Sequence, residues 1–307
     1  MTRKGGVEPV TTLRLDAFPT LVETVAVLAA AFGKAGLETP SLDARRLVLG
    51  CLHLPAIALF REPERPVAPD EHRRLEEATA RRLAREPVSR ILGERAFHGL
   101  DLEIGPSTLD PRPETETLVD GILSLVGQGR VPGGGAPRIL DIGTGSGAIL
   151  IALLHHLPAA TGLGIDISVP ALAIAARNAA KHGLGARAGF KSSFWLTEVG
   201  GQFDIVVSNP PYIATRDIAA LEPEVTYDPL SALDGGPDGL DGYRAIALQC
   251  PRVLAPRGWI AVEVGSGQAG EVARILAEAA SGPLGNCVNM WKDLAGIPRC
   301  VAVEARP

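Results

Sequence analysis

The hydrophobic positions along the chain change their period near residue 88. Before that point apolar residues recur at helical spacing, and the pattern predicts four helices, over residues 19–37, 40–51, 55–60 and 69–85. Thr39 and Pro40 are typical of a helix start, with a capping hydroxyl followed by proline at the first helical position. The first 88 residues are therefore expected to form a small helical bundle.

The remainder of the chain has strand-like periodicity. Residues 88–104 hold two short strand-like runs broken by glycines, which is typical of a hairpin. From Arg138 onward, apolar strands alternate with helices, which predicts a mainly parallel sheet covered on both faces. We therefore divide the chain into a helical domain (1–88), a hairpin linker (89–107) and an α/β domain (108–307).

Composition limits the function. The 30 basic and 35 acidic residues leave a net charge of −5, which argues against a non-specific nucleic-acid binder. The four cysteines lie far apart, without zinc-ligand spacing, so that no metal site and a reducing, cytoplasmic environment are expected. No run reaches the roughly 18 to 20 apolar residues of a membrane span, and no signal peptide is recognisable, so we expect a soluble protein.

A glycine turn follows the first strand of the α/β domain. The strand RILDI leads into Gly143, Thr144, Gly145, Ser146 and Gly147, which open a helix. Glycine lets the chain turn tightly and lets a ligand approach the backbone. Asp166 ends the next strand, where a carboxylate accepts hydrogen bonds from ribose hydroxyls. The pair predicts an adenosine-type ligand, and the alternative is a structural turn with Asp166 capping the next helix.

The acid that precedes this turn separates two kinds of ligand. Asp141 would repel the pyrophosphate of NAD, whereas the cationic sulfonium and amino-acid tail of S-adenosylmethionine would tolerate it. We therefore expect S-adenosylmethionine as the cofactor.

The sequence Asn209-Pro210-Pro211-Tyr212 ends a later strand, at the sheet edge where α/β domains bind ligands. Two prolines stiffen the backbone and withhold their N–H groups, so the segment presents acceptors. Asn209 Oδ1 and the Pro210 carbonyl are suited to hold both hydrogens of a planar NH₂ group, and Tyr212 offers a flat face. This arrangement predicts methyl transfer to such a nitrogen, although a simple strand-closing turn is the alternative.

These motifs together resemble the protein-glutamine N5-methyltransferases of the HemK/PrmC type. Further matching stretches are PVSRILGERAFHGLDLEI, Pro111 to Glu116, GGPDGLDGYRAI and WKDLAGIPR. The resemblance implies a seven-stranded Rossmann-like class I methyltransferase domain with a small N-terminal helical domain that docks the substrate. It also implies S-adenosylmethionine as methyl donor and, as protein substrate, class I peptide chain release factors, which are methylated on the glutamine of a Gly-Gly-Gln motif.

The resemblance also assigns roles to residues. Gly143 to Gly147 would line the methionine part of the cofactor, Asp166 would hold the ribose, and Phe194 would lie beside the adenine. Asn209, Pro210, Pro211 and Tyr212 would bind the glutamine and act in catalysis, and Asn209 would also contact the cofactor. Family members often carry an acid before the aromatic residue, and here Ser193 stands in that place. Arg112, Glu114 and Glu116 either border the site or simply charge a helix start.

Other functions remain as alternatives at this point. A DNA adenine N6-methyltransferase would use the same acceptors, but it needs a basic cleft, and residues 89–307 hold 17 basic and 23 acidic residues. A non-catalytic cofactor-binding interaction protein and an NAD oxidoreductase are further alternatives. We expect a monomer without direct contact to nucleic acid or membrane.

Overall fold

The computed structural model describes residues 20–278 and 284–307. The chain forms two units, with the division between Gly93 and Glu94. Within the described residues, no helix combines the length and the apolar character that crossing a membrane requires.

The N-terminal unit is a helical bundle. Its helices are α1 (Leu21–Lys34), α2 (Pro40–Cys51), α3 (Ala58–Arg61), α4 (Pro69–Leu83) and α5 (Val88–Leu92). Phe32, Leu47 and Leu75 lie in one core and are fully shielded from solvent. Inside the bundle, Arg82 Nε donates to Asp43 Oδ2 at 2.8 Å, so α2 and α4 are joined by a buried ion pair as well as by apolar contacts.

Two details of this unit differ from the sequence analysis. The linker was expected to start at residue 89, but α5 continues the bundle to Leu92, because Val88 belongs to the helical core. Thr39 precedes α2 as predicted, but its hydroxyl donates to Asp43 Oδ1 at 2.9 Å and makes no capping bond to the backbone.

The second unit begins with an antiparallel hairpin, β1 (Glu94–Phe97) and β2 (Leu100–Glu103). The helices that follow are α6 (Glu116–Gly127), α7 (Ala148–His156), α8 (Val169–Lys181), α9 (Asp241–Gln249) and α10 (Ala269–Glu278). The strands are β3 (Arg138–Ile142), β4 (Thr161–Asp166), β5 (Ala188–Ser192), β6 (Phe203–Ser208), β7 (Leu254–Glu263), β8 (Leu284–Lys292) and β9 (Pro298–Ala305). The sequence pattern predicts a last helix from Gln268 to Ala280, and residues 279 and 280 lie outside the described ranges.

Strands β3 to β9 form one seven-stranded sheet with the order β5-β4-β3-β6-β7-β9-β8. The first five strands in this order are parallel, whereas β9 runs antiparallel to both β7 and β8. The prediction of an α/β domain with a seven-stranded, mostly parallel sheet is confirmed.

The strands are apolar on both faces because successive side chains point to opposite sides of a sheet. Leu140 and Val206 pack into one core, and their chain neighbours Ile139 and Ile205 pack into the other. Helices cover both faces, which explains why these strands appear in the sequence as continuous apolar runs rather than as an alternation.

The strand register aligns four residues along the carboxyl edge of the sheet. Ile142 pairs with Ile165 on one side and with Ser208 on the other, and Ser208 pairs with Val262. The next residues along each chain segment are Asp166, Gly143, Asn209 and Glu263. They therefore form one row across β4, β3, β6 and β7.

Candidate active site

A cavity of about 310 Å³ opens above this carboxyl edge. Its walls come from the ends of β3, β4 and β6 and from two segments, residues 107–115 and 229–234. The predicted site residues that line it are Gly143, Thr144, Gly145, Ser146, Asp166, Phe194, Asn209, Pro210 and Pro211. Asp141, Gly147 and Tyr212 lie behind this lining. Nine residues singled out from the sequence thus line one cavity.

The glycine turn forms an open cradle. Gly143 and Gly145 have positive φ angles of 71° and 54°, and a Cβ added at either residue would meet nothing within 4 Å. L-residues with side chains rarely adopt this backbone conformation, and a side chain there would occupy the space beside the turn. The cradle therefore leaves room for a ligand against the backbone.

The N–H groups of this turn are largely used within the protein. Gly143 and Thr144 both donate to the Ile165 carbonyl at 2.9 Å, and Gly147 donates to the Thr144 carbonyl at 2.7 Å. Gly145 donates to Asp166 Oδ2 at 2.9 Å. A pyrophosphate site needs free backbone N–H groups. The turn is thus poorly suited to NAD and leaves the adenosine-type ligand without phosphates as the better fit.

Asp141 is a fully buried acid behind the turn. Its Oδ2 accepts a hydrogen bond of 2.6 Å from the Thr144 hydroxyl, and its Oδ1 has no hydrogen-bond partner. Burial raises the pKa of Asp141 to about 7, which the Thr144 hydrogen bond partly opposes and the charge of Asp166 reinforces. A positive charge in the cavity would stabilise the ionised form of this acid.

Asp166 lies between the turn and the start of α8. Its Oδ2 accepts from Gly145 N, and its Oδ1 accepts from Ser168 N at 2.8 Å. These bonds hold the carboxylate in a fixed orientation at the cavity wall, and each oxygen keeps a lone pair for a further donor. The N-cap of α8 is Ser168, whose hydroxyl accepts from Ala171 N at 3.3 Å, so Asp166 does not itself cap this helix.

Phe194 and Ser193 form the wall on the other side of Asp166. Phe194 is 62% exposed although it lines the cavity, as expected for an aromatic ring that a planar ligand covers. The Ser193 hydroxyl donates to the Trp195 carbonyl at 2.8 Å and accepts from Glu198 N at 3.2 Å. Ser193 lines the cavity, and its hydroxyl hydrogen is already donated within its own turn.

Asn209 begins the proline segment at the centre of the edge. Its Nδ2 lies 3.4 Å from Thr115 Oγ1, to which it donates. This orientation leaves Oδ1 as the end of the amide that faces away from Thr115. Pro210 and Pro211 follow along the cavity wall and, having no N–H, present only carbonyl groups.

Tyr212, whose ring was expected to offer a flat face to a planar group, is not part of the cavity lining. Its hydroxyl is directed to Glu263 Oε1 at 3.5 Å, and its ring packs against the core of the sheet. Burial, reinforced by the charge of Glu263, raises the pKa of Tyr212 to about 12. The tyrosine therefore reaches the site through its neighbours along the segment and through Glu263.

A glycine-rich stretch, residues 235–242, supports the proline segment from behind. A Cβ on Gly235 would lie 2.7 Å from the Pro211 carbonyl oxygen, and one on Gly239 would lie 2.4 Å from the Tyr212 carbonyl oxygen. The backbones pack too closely for any side chain at these two positions. The stretch GGPDGLDG thus shapes the site without touching the cavity.

The charged residues near Pro113 are not part of the cavity lining. They are Arg112, Glu114 and Glu116, and each acts on a neighbouring part of the structure. Arg112 pairs with the buried Asp228, which joins the two segments that close the cavity. Glu116 Oε1 accepts from His98 N at 2.7 Å. Glu114 acts through its charge, because it raises the pKa of Glu263.

Two residues of the site were missed in the sequence analysis. Thr115 lines the cavity, and Glu263 lies behind Asn209 at the end of β7. The signal for Glu263 was present, since it is the one charged residue in the apolar run WIAVEV. Among the described residues, no group of three or more His, Cys, Asp or Glu side chains has the arrangement of a metal site.

Comparisons with known proteins identify relatives over most of the chain. Residues 23–93 match the PrmC N-terminal domain family, and residues 131–224 match the methyltransferase small domain family. The chain is 51% identical over 274 residues to the release factor glutamine methyltransferase of Rhodospirillum rubrum, an alignment that covers 89% of this chain and 81% of that protein. It is 47% identical over 244 residues to the protein of the same name from Agrobacterium fabrum, covering 79% and 84%.

A solved structure supports the fold. The catalytic domain of hMettl16, determined in complex with MAT2A 3′UTR hairpin 6, superimposes with a TM-score of 0.54 at 17% identity, covering 78% of this chain and 85% of that one. At this identity the likeness concerns the fold alone. The identity of 51% to the Rhodospirillum rubrum protein, over 89% of this chain and 81% of that one, shows that the chain belongs to the family of release factor glutamine methyltransferases.

Proposed function

We propose that this protein transfers a methyl group from S-adenosylmethionine to the side-chain nitrogen, N5, of the glutamine in the Gly-Gly-Gln motif of class I peptide chain release factors. The observation that carries the proposal is the position of Asn209, Pro210 and Pro211 in the same cavity as the glycine turn and Asp166. A methyl acceptor and a nucleoside cofactor would meet there.

The cavity fits S-adenosylmethionine in several respects. The open cradle of Gly143 and Gly145 would take the methionine part, and Asp166 would accept hydrogen bonds from the ribose hydroxyls. The exposed ring of Phe194 would cover the adenine. The unpartnered Oδ1 of Asp141 matches a cationic ligand, because a buried carboxylate without a partner gains most from a nearby positive charge. When bound, the cofactor supplies an electrophilic methyl group.

The protein's task toward the glutamine is to orient a weak nucleophile. The lone pair of an amide nitrogen is delocalised into its carbonyl group. Asn209 Oδ1 and the Pro210 carbonyl would each accept one N–H of the glutamine, which fixes the direction of the nitrogen. Positioning of this kind contributes strongly to rate, and the same acceptors stabilise the positive charge that develops on the nitrogen. The nitrogen gains the methyl group and releases one proton.

The roles of the other parts of the chain follow from this proposal. We propose that the N-terminal helical domain docks the release factor, that the hairpin region connects the two domains, and that the protein acts as a monomer in the cytoplasm. The wide spacing of the cysteines and the net charge of −5 support a reducing compartment and a protein substrate rather than a nucleic acid.

Mass spectrometry tests the proposal directly. The purified protein is incubated with S-adenosylmethionine and an unmethylated class I release factor, and the Gly-Gly-Gln peptide is analysed. We expect a gain of one methyl group on the glutamine, and no gain when that glutamine is replaced by alanine. An unchanged peptide, with cofactor binding confirmed by calorimetry, would contradict the proposal.

A further inference from the structure

Glu263 is a buried acid directly beside the residue proposed to bind the glutamine. It ends β7, and the pairing of Ser208 with Val262 places it at the same level of the sheet as Asn209. It is 2% exposed. The lining of the cavity does not include it, so any influence on the reaction passes through its neighbours.

The hydrogen bonding of Glu263 is incomplete. The Tyr212 hydroxyl donates to Oε1 over a long distance, 3.5 Å, while Oε2 is buried and has no hydrogen-bond partner. Burying an ionised carboxylate without full pairing is energetically unfavourable. Buried ionisable groups with perturbed pKa values are concentrated at functional sites.

Groups from several elements face this carboxyl group. Burial raises the pKa of Glu263 to about 7, and the charge of Glu114 acts in the same direction. The side chains of Thr115 and Asn209 and the charge of Arg299 oppose the rise. Tyr212, Cys300 of β9 and Tyr243, whose hydroxyl donates to the Glu263 backbone carbonyl at 2.9 Å, also face this residue, and all three have a raised pKa well above that of the acid.

These contacts form a chain of hydrogen-bonding groups that leads to the substrate. Asn209 Nδ2 donates to Thr115 Oγ1 at 3.4 Å. The hydroxyl of Thr115 accepts in this bond, so its own hydrogen is available for another acceptor. Glu263 is the acid whose pKa the Thr115 side chain lowers. The distance from Asn209 to Thr115 and the distance from Tyr212 to Glu263 are both long for hydrogen bonds. Hydrogen bonds at catalytic sites commonly shorten in the substrate complex.

The chemistry of an asparagine amide makes such a chain useful. The two ends of the amide have the same shape, but one accepts hydrogen bonds and the other donates them. If Asn209 were rotated by half a turn, its NH₂ would face the NH₂ of the glutamine, and one acceptor would be lost. An acceptor fixed behind Nδ2 prevents this rotation.

We propose that Glu263, acting as a carboxylate, is a positioning residue that fixes the amide of Asn209 through Thr115 and holds Tyr212 in the same segment. The proposal rests on the proposed function of Asn209. In its protonated form Glu263 becomes a hydrogen-bond donor. The direction of the hydrogen bonds that lead from Glu263 through Thr115 to Asn209 is then no longer determined. The acceptor end of Asn209 is then held toward the substrate less often.

The first test observes Asn209 itself and needs no activity. The chain has four asparagines, Asn178, Asn209, Asn286 and Asn289, so selective ¹⁵N labelling gives a simple spectrum of side-chain amides in the full-length protein. The Asn209 signal is assigned by its loss in Asn209→Ala. We expect it to shift with a midpoint near pH 7, the pKa of Glu263, and to lose this response in Glu263→Gln.

The matched control is Glu304→Gln. Glu304 lies on the adjacent strand β9, opposite Trp259, four residues from Glu263 in the register. The Glu304→Gln substitution should leave the pH-dependent shift of the Asn209 signal unchanged. An Asn209 signal that does not respond to pH, or that responds equally in Glu263→Gln, would overturn the proposal.

The second test uses the methylation assay. We expect Glu263→Gln to lower kcat roughly ten- to hundredfold, the effect of losing a hydrogen bond to a charged group, with an unchanged dissociation constant for S-adenosylmethionine. In the unchanged protein we expect kcat to rise through about pH 7, because Glu263 becomes a carboxylate there. This rise should be absent in Glu263→Gln. If Glu263→Gln does not fold, Thr115→Val and Thr115→Ser replace it, because only serine keeps the hydroxyl and should restore the rate.

The outcomes separate the two proposals. An unchanged protein that methylates no release factor contradicts the proposed function, whereas the Asn209 titration still tests the positioning role. Full methylation by Glu263→Gln with a normal pH profile contradicts the positioning role and leaves the proposed function intact.

Discussion

Replacing Asp141 by asparagine should change how the stability of the α/β unit depends on pH. Asp141 is fully buried, its Oδ1 lacks a partner, and burial raises its pKa from an ordinary 3.8 to about 7. The folded protein therefore holds a proton on this acid up to about pH 7, whereas the unfolded chain releases it near pH 3.8. Unfolding releases a proton between these values, so the free energy of unfolding falls as pH rises through this window.

The size of the effect follows from the two pKa values. At about 1.4 kcal/mol per pH unit, the interval between 3.8 and about 7 corresponds to a loss of about 4 kcal/mol. Between pH 5 and pH 8, roughly 3 kcal/mol of this loss is expected. Asparagine has nearly the same shape and no ionisable group, so the variant should not show this part of the loss.

Urea unfolding at pH 5 and pH 8 measures the difference. The three tryptophans, Trp195, Trp259 and Trp291, all lie in the α/β unit, so their fluorescence reports its unfolding. Other buried acids, such as Glu263, titrate in both proteins and cancel when the two are compared. Asp101→Asn, an exposed change on the hairpin, serves as the control. Parallel pH dependence of Asp141→Asn and the unchanged protein would refute the reasoning.

Cofactor binding provides a second measurement of the same group. A cation next to the glycine turn favours ionised Asp141, so binding below about pH 7 releases a proton, and affinity should increase as pH approaches 7. Calorimetry with S-adenosylmethionine should show this increase in the unchanged protein and not in Asp141→Asn.

Three further substitutions test the site. Asn209→Ala should bind cofactor normally in calorimetry but lose roughly a hundredfold in single-turnover rate, as for other lost transition-state contacts; a full rate would refute the role of Asn209. Asp166→Ala should weaken cofactor binding by roughly 1 to 3 kcal/mol, and unchanged calorimetry would remove it from the ribose site. Gly239→Ala should disturb the proline segment, because its Cβ would lie 2.4 Å from the Tyr212 carbonyl oxygen at a φ of 78°; a melting temperature and rate equal to those of the unchanged protein would exclude this.

Local patterns predicted much of the fold because they act over short stretches. Helical periodicity marked α1, α2 and α4, and apolar runs marked β3, β4, β6 and β7. Strand β5 is less evident, because the edge sequence AGFKS is largely exposed and pairs with β4 alone. The extent of the bundle to Leu92 was also missed, since Val88 becomes part of the helical core only through packing.

The sequence by itself determined the chemistry available along the sheet edge. The glycine turn, Asp166 and Asn209 each follow directly after an apolar strand, and the carboxyl ends of parallel strands meet at one edge, so these groups were bound to converge.

Only the tertiary structure decided what stands behind those groups. The register between β6 and β7 places Glu263 beside Asn209, and the segment before α6 brings Thr115 to both. The orientation of Tyr212 toward Glu263 likewise depends on residues that are distant in the chain. Such contacts depend on packing between separate elements, and the burial that changes the ionisation of Asp141 and Glu263 exists only in the folded protein.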